Sequence, residues 1–309
     1  MQPPLEIWIA FNAFVLVMIV LDLFVLNRHN KVISIRRALM ISGIWISLAL
    51  IFCYGIDVTL GHESALNFLT GYLIEEALSI DNLFVFLMLF KYFHTPPQYQ
   101  YKVLFWGIIG ALIMRACFIF FGIALFNTFH WIIYIFGAAL IYAGIQMAMP
   151  KSETVHPENN PVIILMKKWL PITPDYQGQR FFIRHLERWY ATPLFIVLVA
   201  VETSDLIFAV DSIPAVMAIT RDPFIVYTSN IFALLGLRSL FFALSGIMNL
   251  FHFLHYGLAA ILIFVGLKMI LEPFLTISIG IALGFIVLTI SFVIIASLLF
   301  PKNINGTAS

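Results

Sequence analysis

Two apolar segments of this chain carry acidic residues where acids are hardest to keep. The first reads Gly71-Tyr-Leu-Ile-Glu75-Glu76-Ala-Leu-Ser-Ile-Asp81-Asn82-Leu-Phe-Val-Phe. The second reads Val197-Leu-Val-Ala-Val-Glu202-Thr-Ser-Asp205-Leu-Ile-Phe-Ala-Val-Asp211-Ser-Ile-Pro214. Each is long enough to cross a bilayer, where a carboxylate costs about 2.5–3.5 kcal/mol on insertion scales. On a straight helix Glu202 and Asp205 share a face. Glu76 and Asp81 lie about 140° apart round the helix, and Asp211 points elsewhere, so all converge only if the helices bend. Pro214 gives a reason for bending, because it cannot donate to residue 210 and its ring presses on that carbonyl. A freed Val210 carbonyl beside Asp211 and the other acids is a hard oxygen site, suited to Mg, Ca or Mn. Asn82, Ser79, Thr203, Ser204 and Ser212 add neutral oxygens. Met88 and Met217 could add sulfur, though methionine in a helix usually packs.

Charge counting asks whether ion pairs alone explain these acids. Glu76, Asp81, Glu202, Asp205 and Asp211 stand against Arg115, Arg238 and Lys268, which leaves a surplus of two negative charges. The surplus grows if Glu75 faces inward. Arg115 and Arg238 read as local counter-ions. An uncompensated buried carboxylate is expensive, so the remainder calls for one divalent cation or for bound protons. Asp22 could line the path or cap a helix end. Asp57, Glu63 and Glu272 fall near span ends and read as solvated. His252 and His255 are three apart, a spacing common by chance. No Gly-x-Gly-Asp, Gly-x-Ser-x-Gly or His-Glu-x-x-His segment is present, so no enzyme and no resident cofactor is expected.

These segments sit in a chain of 309 residues that is 62% hydrophobic and 11% charged, against roughly 25% charge in soluble domains. It reads as an all-α polytopic membrane protein with the bilayer as its first partner. Net charge +1, with bases confined to loops, gives no face for nucleic acid. Cys53 and Cys117 lie in apolar stretches and read as buried thiols. The first residues lack the basic start of a cleaved signal, so the first apolar stretch is expected to remain as a span. Nine segments approach the ~20 apolar residues a span needs: 5–26, 38–57, 66–91, 103–126, 131–149, 191–214, 227–249, 256–272 and 275–299. Alternate loops carry twelve bases: Arg28, Lys31, Arg36, Arg37, Lys91, Lys102, Lys151, Lys167, Lys168, Arg180, Arg184 and Arg188. The opposite loops hold Arg221 alone. The basic side is predicted to be cytoplasmic, with the N-terminus outside and the C-terminus, bearing Lys302, inside. Within the loop 150–190, the stretch 179–190 mixes bases with aromatics and fits either an interfacial amphipathic helix or an ordinary linker.

The acidic segments belong to a longer repeat. Ser79-Ile-Asp81-Asn-Leu-Phe resembles Ser204-Asp205-Leu-Ile-Phe. Ala111-Leu-Ile-Met-Arg115 resembles Ala233-Leu-Leu-Gly-Leu-Arg238. Ala139-Leu-Ile-Tyr-Ala-Gly144-Ile-Gln146-Met147 resembles Ile261-Leu-Ile-Phe-Val-Gly266-Leu-Lys268-Met269. The offsets are 124, 123 and 122 residues. Copies of three spans each, 66–149 and 191–272, would be inverted relative to one another, as in many secondary transporters. Residues 1–65 and 273–309 would be peripheral, and 150–190 a cytoplasmic connection.

The pattern Glu76-x4-Asp81-Asn82 with Glu202-Thr-Ser-Asp205-x5-Asp211-Ser-Ile-Pro214 resembles the TerC family, named for tellurium resistance. With Asp22-Leu-Phe-Val-Leu-Asn-Arg28 in the first span, the chain looks most like the Alx-type members. The resemblance covers nearly the whole chain. It implies a bacterial inner-membrane protein of the LysE-type exporter group and an association with manganese export. It also implies that Glu76, Asp81, Glu202, Asp205 and Asp211 are the acidic motif positions. Some relatives are linked to calcium or to metalation of secreted proteins. The expectation is export of a divalent ion, Mn²⁺ foremost, in exchange for protons, with Asn82 joining these acids at the ion. A Ca²⁺/H⁺ exchanger and a membrane assembly or metalation factor are the alternatives. Oligomeric state is left open.

Overall fold

The computed structural model describes residues 4–26, 34–129, 131–149, 160–185, 188–245, 253–275 and 277–299. Arg28, Lys31, Lys151, Gly246, His252 and Lys302 lie outside the described residues, as does the side chain of Asp22. Ten helices and one β-ribbon are present among those described. They are α1 (Leu5–Leu26), α2 (Ile35–Leu60), α3 (His62–Tyr92), α4 (Pro97–Thr128), α5 (Ile132–Ala148), α6 (Pro161–Trp169), β1 (Phe182–His185), β2 (Arg188–Ala191), α7 (Pro193–Met217), α8 (Pro223–Leu244), α9 (Leu254–Leu271) and α10 (Ile279–Leu299). A helix satisfies its own backbone within one segment, which is what hydrocarbon requires.

Local sequence sets several starts. Proline opens α4, α6, α7 and α8, where its missing N–H costs nothing. The Asn160 side chain accepts from Val162 N, and Asp222 accepts from Phe224 N and Ile225 N. The α7 helix continues through Pro214 to Met217.

Nine of the helices coincide with the nine apolar segments of the sequence. Six are long and apolar enough to cross a membrane on those criteria: α2, α4, α7, α8, α9 and α10. The apolar parts of α1 and α5 are shorter. The acids of α3 lower its apolarity and tie it to polar partners inside the bundle.

Residues 182–185 and 188–191 form no helix. Phe182 pairs with Ala191, Ile183 with Tyr190, Arg184 with Trp189 and His185 with Arg188 in an antiparallel ribbon. The run of aromatic and β-branched residues favours a pleated half-buried surface over a helix.

The bundle packs in matching pairs. α3 lies on α8 as α4 lies on α7, α5 runs against α9, and α2 bridges α3 and α8. α8 is the most enclosed of these helices. The outer faces are apolar, with Leu16, Ile51, Phe121, Leu288 and Phe292 exposed, as a lipid-facing surface requires.

The α5–α9 seam is built on small residues. A β-carbon on Gly144 would lie 2.8 Å from Ala259 O and 2.7 Å from Ile263 Cγ1. One on Gly266 would lie 2.7 Å from Gly137 O and 2.9 Å from Ile141 Cγ1. Shifting Gly144, Ala259 and Ile263 by the 122-residue offset, in the appropriate direction, gives Gly266, Gly137 and Ile141. The contact is therefore reciprocal, and the two helices run antiparallel.

Candidate functional site

Asp205 is the central residue of α7, and Arg115 lies mid-way along α4. The Arg115 guanidinium is fully buried and spans two carboxylates. Its Nε donates to Asp205 Oδ2 at 3.2 Å and its Nη2 to Asp205 Oδ1 at 3.0 Å. Its Nη1 donates to Glu75 on α3 and to Asn230 Oδ1 on α8, the latter at 3.1 Å. Asn230 Nδ2 donates in turn to Glu75 Oε2 at 2.9 Å. Glu75, Arg115 and Asn230 are each 0% exposed. Four helices thus meet through one hydrogen-bonded network, and a fork-to-fork Arg–carboxylate pair fixes its geometry.

Glu202 lies one turn before Asp205. Its carboxylate presses on the backbone of α4 at Gly110, where a β-carbon would sit 2.6 Å from Oε2. Between α3, α4, α7 and α8 is a cavity of about 10 Å³, room for about one water-sized particle. Glu202 and Asp205 line it, together with Gly107 and Ala111 of α4, Phe86 of α3 and Leu237 of α8.

The other expected site residues lie around this centre. The Tyr72 hydroxyl is hydrogen-bonded to Glu76, whose Oε1 would lie 4.0 Å from a β-carbon on Gly236. Asp81 and Asp211 are half-buried, and each has an interaction partner. Asn82, Ser79 and Ser212 are buried. Asn82 Nδ2, Ser79 Oγ, Ser212 Oγ and Glu76 Oε2 have no hydrogen-bond partner among the described residues. Thr203 and Ser204 donate to Val199 O and Ala200 O of their own helix, at 2.7 and 2.9 Å. Arg238 is buried with its guanidinium carbon 4.6 Å from the Tyr101 ring centroid and 5.8 Å from that of Phe105. Lys268 donates to Ala218 O at the end of α7, at 2.7 Å. Met217 packs against Gly122.

Among the described residues, no three acidic, imidazole or thiol side chains gather closely enough to hold one metal ion. Glu202 and Asp205 share the cavity, while Arg115 occupies the other side of Asp205. Glu75 does face inward. It enlarges the negative surplus and joins the network at full burial. Asn230 and Gly110 were not foreseen. The signal for Asn230 is an amide in the middle of an apolar span, which asks for a partner just as an acid does. At the span ends, Arg221 pairs with Glu272 at 3.1 Å, and His62 lies 2.9 Å from Asp57. The His255 ring lies against Tyr256.

Residues 60–305 match the model of the integral membrane protein TerC family. This chain belongs to that family. An uncharacterized membrane protein of Myxococcus xanthus is 45% identical over 297 residues, covering 96% of this chain and 93% of that protein. Alx of Photorhabdus laumondii, named as a candidate membrane-bound redox modulator, is 44% identical over 287 residues, 90% of each chain. The Escherichia coli protein of the same name is 42% identical over 299 residues, 93% of each chain. No solved structure matches. The family membership and the apolar helices establish a multi-pass integral membrane protein.

Proposed function

We propose that this TerC-family protein is a secondary transporter that exports a divalent cation, Mn²⁺ foremost, from the cytoplasm by proton-coupled alternating access. The observation that carries this reading is the charge around the cavity. Glu75 and Asp205 share a single guanidinium, Arg115, all three buried, and Glu202 lies beside Asp205 on the cavity wall. With all four ionised, two negative charges remain, which one divalent ion or two protons would neutralise. The cavity beside Glu202 and Asp205 is about the size of one small particle. Its only charged oxygens are carboxylates, which suit Mn²⁺, Ca²⁺ or Mg²⁺ more than copper. Glu76, Asp81, Asn82 and Asp211 lie on the same two helices, α3 and α7, which pack on each other. They complete the ion's coordination or its path as the halves move.

In this reading nine helices span the bacterial inner membrane, with the N-terminus outside and the basic loops in the cytoplasm. α3–α5 and α7–α9 form an inverted repeat. The reciprocal contacts of Gly144 and Gly266, and the matching pairs α3–α8 and α4–α7, support it. The same offsets carry Arg115 and Asp205 onto the positions of Arg238 and Asp81. Rocking one half on the other exposes the ion alternately inside and outside. Protons then occupy the carboxylates on the return.

Cells that express this chain and lack their own manganese exporter should hold less Mn²⁺ under manganese load than cells carrying an empty vector. Glu202→Gln, which removes a cavity charge and keeps the shape, should abolish the difference. Equal manganese content with and without the folded protein would refute the assignment.

A further inference from the structure

We infer that Arg115 is a tethered competitor for the transported ion, and that Glu75 with Asn230 is the place to which it withdraws when the ion binds. This rests on the divalent-cation reading above. The guanidinium divides its donors. Nε and Nη2 hold Asp205, and Nη1 holds Glu75 and Asn230. Asp205 also lines the cavity, while Glu75 does not. An ion entering beside Glu202 must therefore share Asp205 with Arg115 or displace it.

Displacement frees only one half of the fork. Arg115 keeps Glu75, itself held by Asn230 Nδ2 at 2.9 Å. A divalent ion with Glu202 and Asp205 is then neutral, and so is Arg115 with Glu75. With the ion bound no buried charge is stranded, and without it two protons take up the same surplus, which is the condition for exchange at depth. The arrangement also sets a charge threshold. A monovalent ion brings no more charge to Asp205 than the guanidinium already supplies, and it must expel a bidentate donor. A divalent ion brings twice the charge.

The test is direct binding of Mn²⁺ alone to the purified full-length protein, read from loss of the free-ion electron paramagnetic resonance signal. Arg115→Gln should bind Mn²⁺ about tenfold or more tightly than wild type, because the competitor is gone. Arg115→Lys, which keeps the charge but loses the fork, should tighten binding by less and decides the matter if the glutamine variant does not fold. Glu75→Gln should weaken binding by about tenfold, because Arg115 loses its other anion and holds Asp205 harder. Opposite signs are the signature. A merely structural network would weaken binding in both variants, so shifts in the same direction, or no shift, overturn the inference. Folded wild type that binds no Mn²⁺ overturns the divalent reading itself, and this inference with it.

Discussion

Arg115 has its two carboxylate partners on different helices, so its loss and theirs have different consequences. Arg115→Leu leaves Glu75 and Asp205 buried without a cation and should cost about 3–5 kcal/mol of stability, measured by thermal unfolding of the purified protein. Asn230→Ala removes a donor and an acceptor from the same network and should cost about 1–3 kcal/mol. Gly110→Ala has another effect. Its new methyl group would lie 2.6 Å from Glu202 Oε2, so the carboxylate must move. We expect a folded protein whose Mn²⁺ transport falls with that of Glu202→Gln, and unchanged transport would remove Glu202 from the site. At this scale the sequence was partly legible. Acids within apolar segments announce themselves through their cost, and Arg115 reads as a counter-ion on charge alone, without showing which acid it holds. Asn230 carries a weaker signal, because an amide in a span asks for a partner but has no charge to balance. Nor could sequence spacing decide which acids meet, since that depends on how α3, α4, α7 and α8 cross.

The seam between α5 and α9 governs how these helices are held. Gly144 and Gly266 each face a backbone carbonyl of the opposite helix at a distance no β-carbon tolerates. Gly144→Ala and Gly266→Ala should each destabilise by about 1–3 kcal/mol through overpacking. Because the contacts are reciprocal, the two losses in Tm should be similar. A large effect at one position and none at the other would argue against equivalent halves. The helices themselves were readable because a bilayer fixes their length and hydrophobicity, and nine apolar segments became nine helices. The ribbon of β1 and β2 was not, because bases alternating with aromatics fit an interfacial helix and an amphipathic strand alike. Pairing of Phe182 with Ala191 through His185 with Arg188 decides between them.

Across the whole molecule, the proposed orientation places the ribbon and α6 on the cytoplasmic side and the α7–α8 turn outside. In a variant lacking Cys53 and Cys117, a cysteine replacing the exposed Arg180 should react with an impermeant thiol reagent only in inside-out vesicles. One replacing Arg221 should react in intact spheroplasts. The reverse pattern would invert the transport direction assigned here. The reading further requires that the carboxylates beside the cavity move an ion across the bilayer, and that they do so without other proteins. The most direct measurement is Mn²⁺ flux in liposomes containing only the purified protein, under an imposed proton gradient. The account predicts Mn²⁺ movement opposite to the proton flow, abolished in Glu202→Gln. No flux from folded wild-type protein, or equal flux from both proteins, would contradict it.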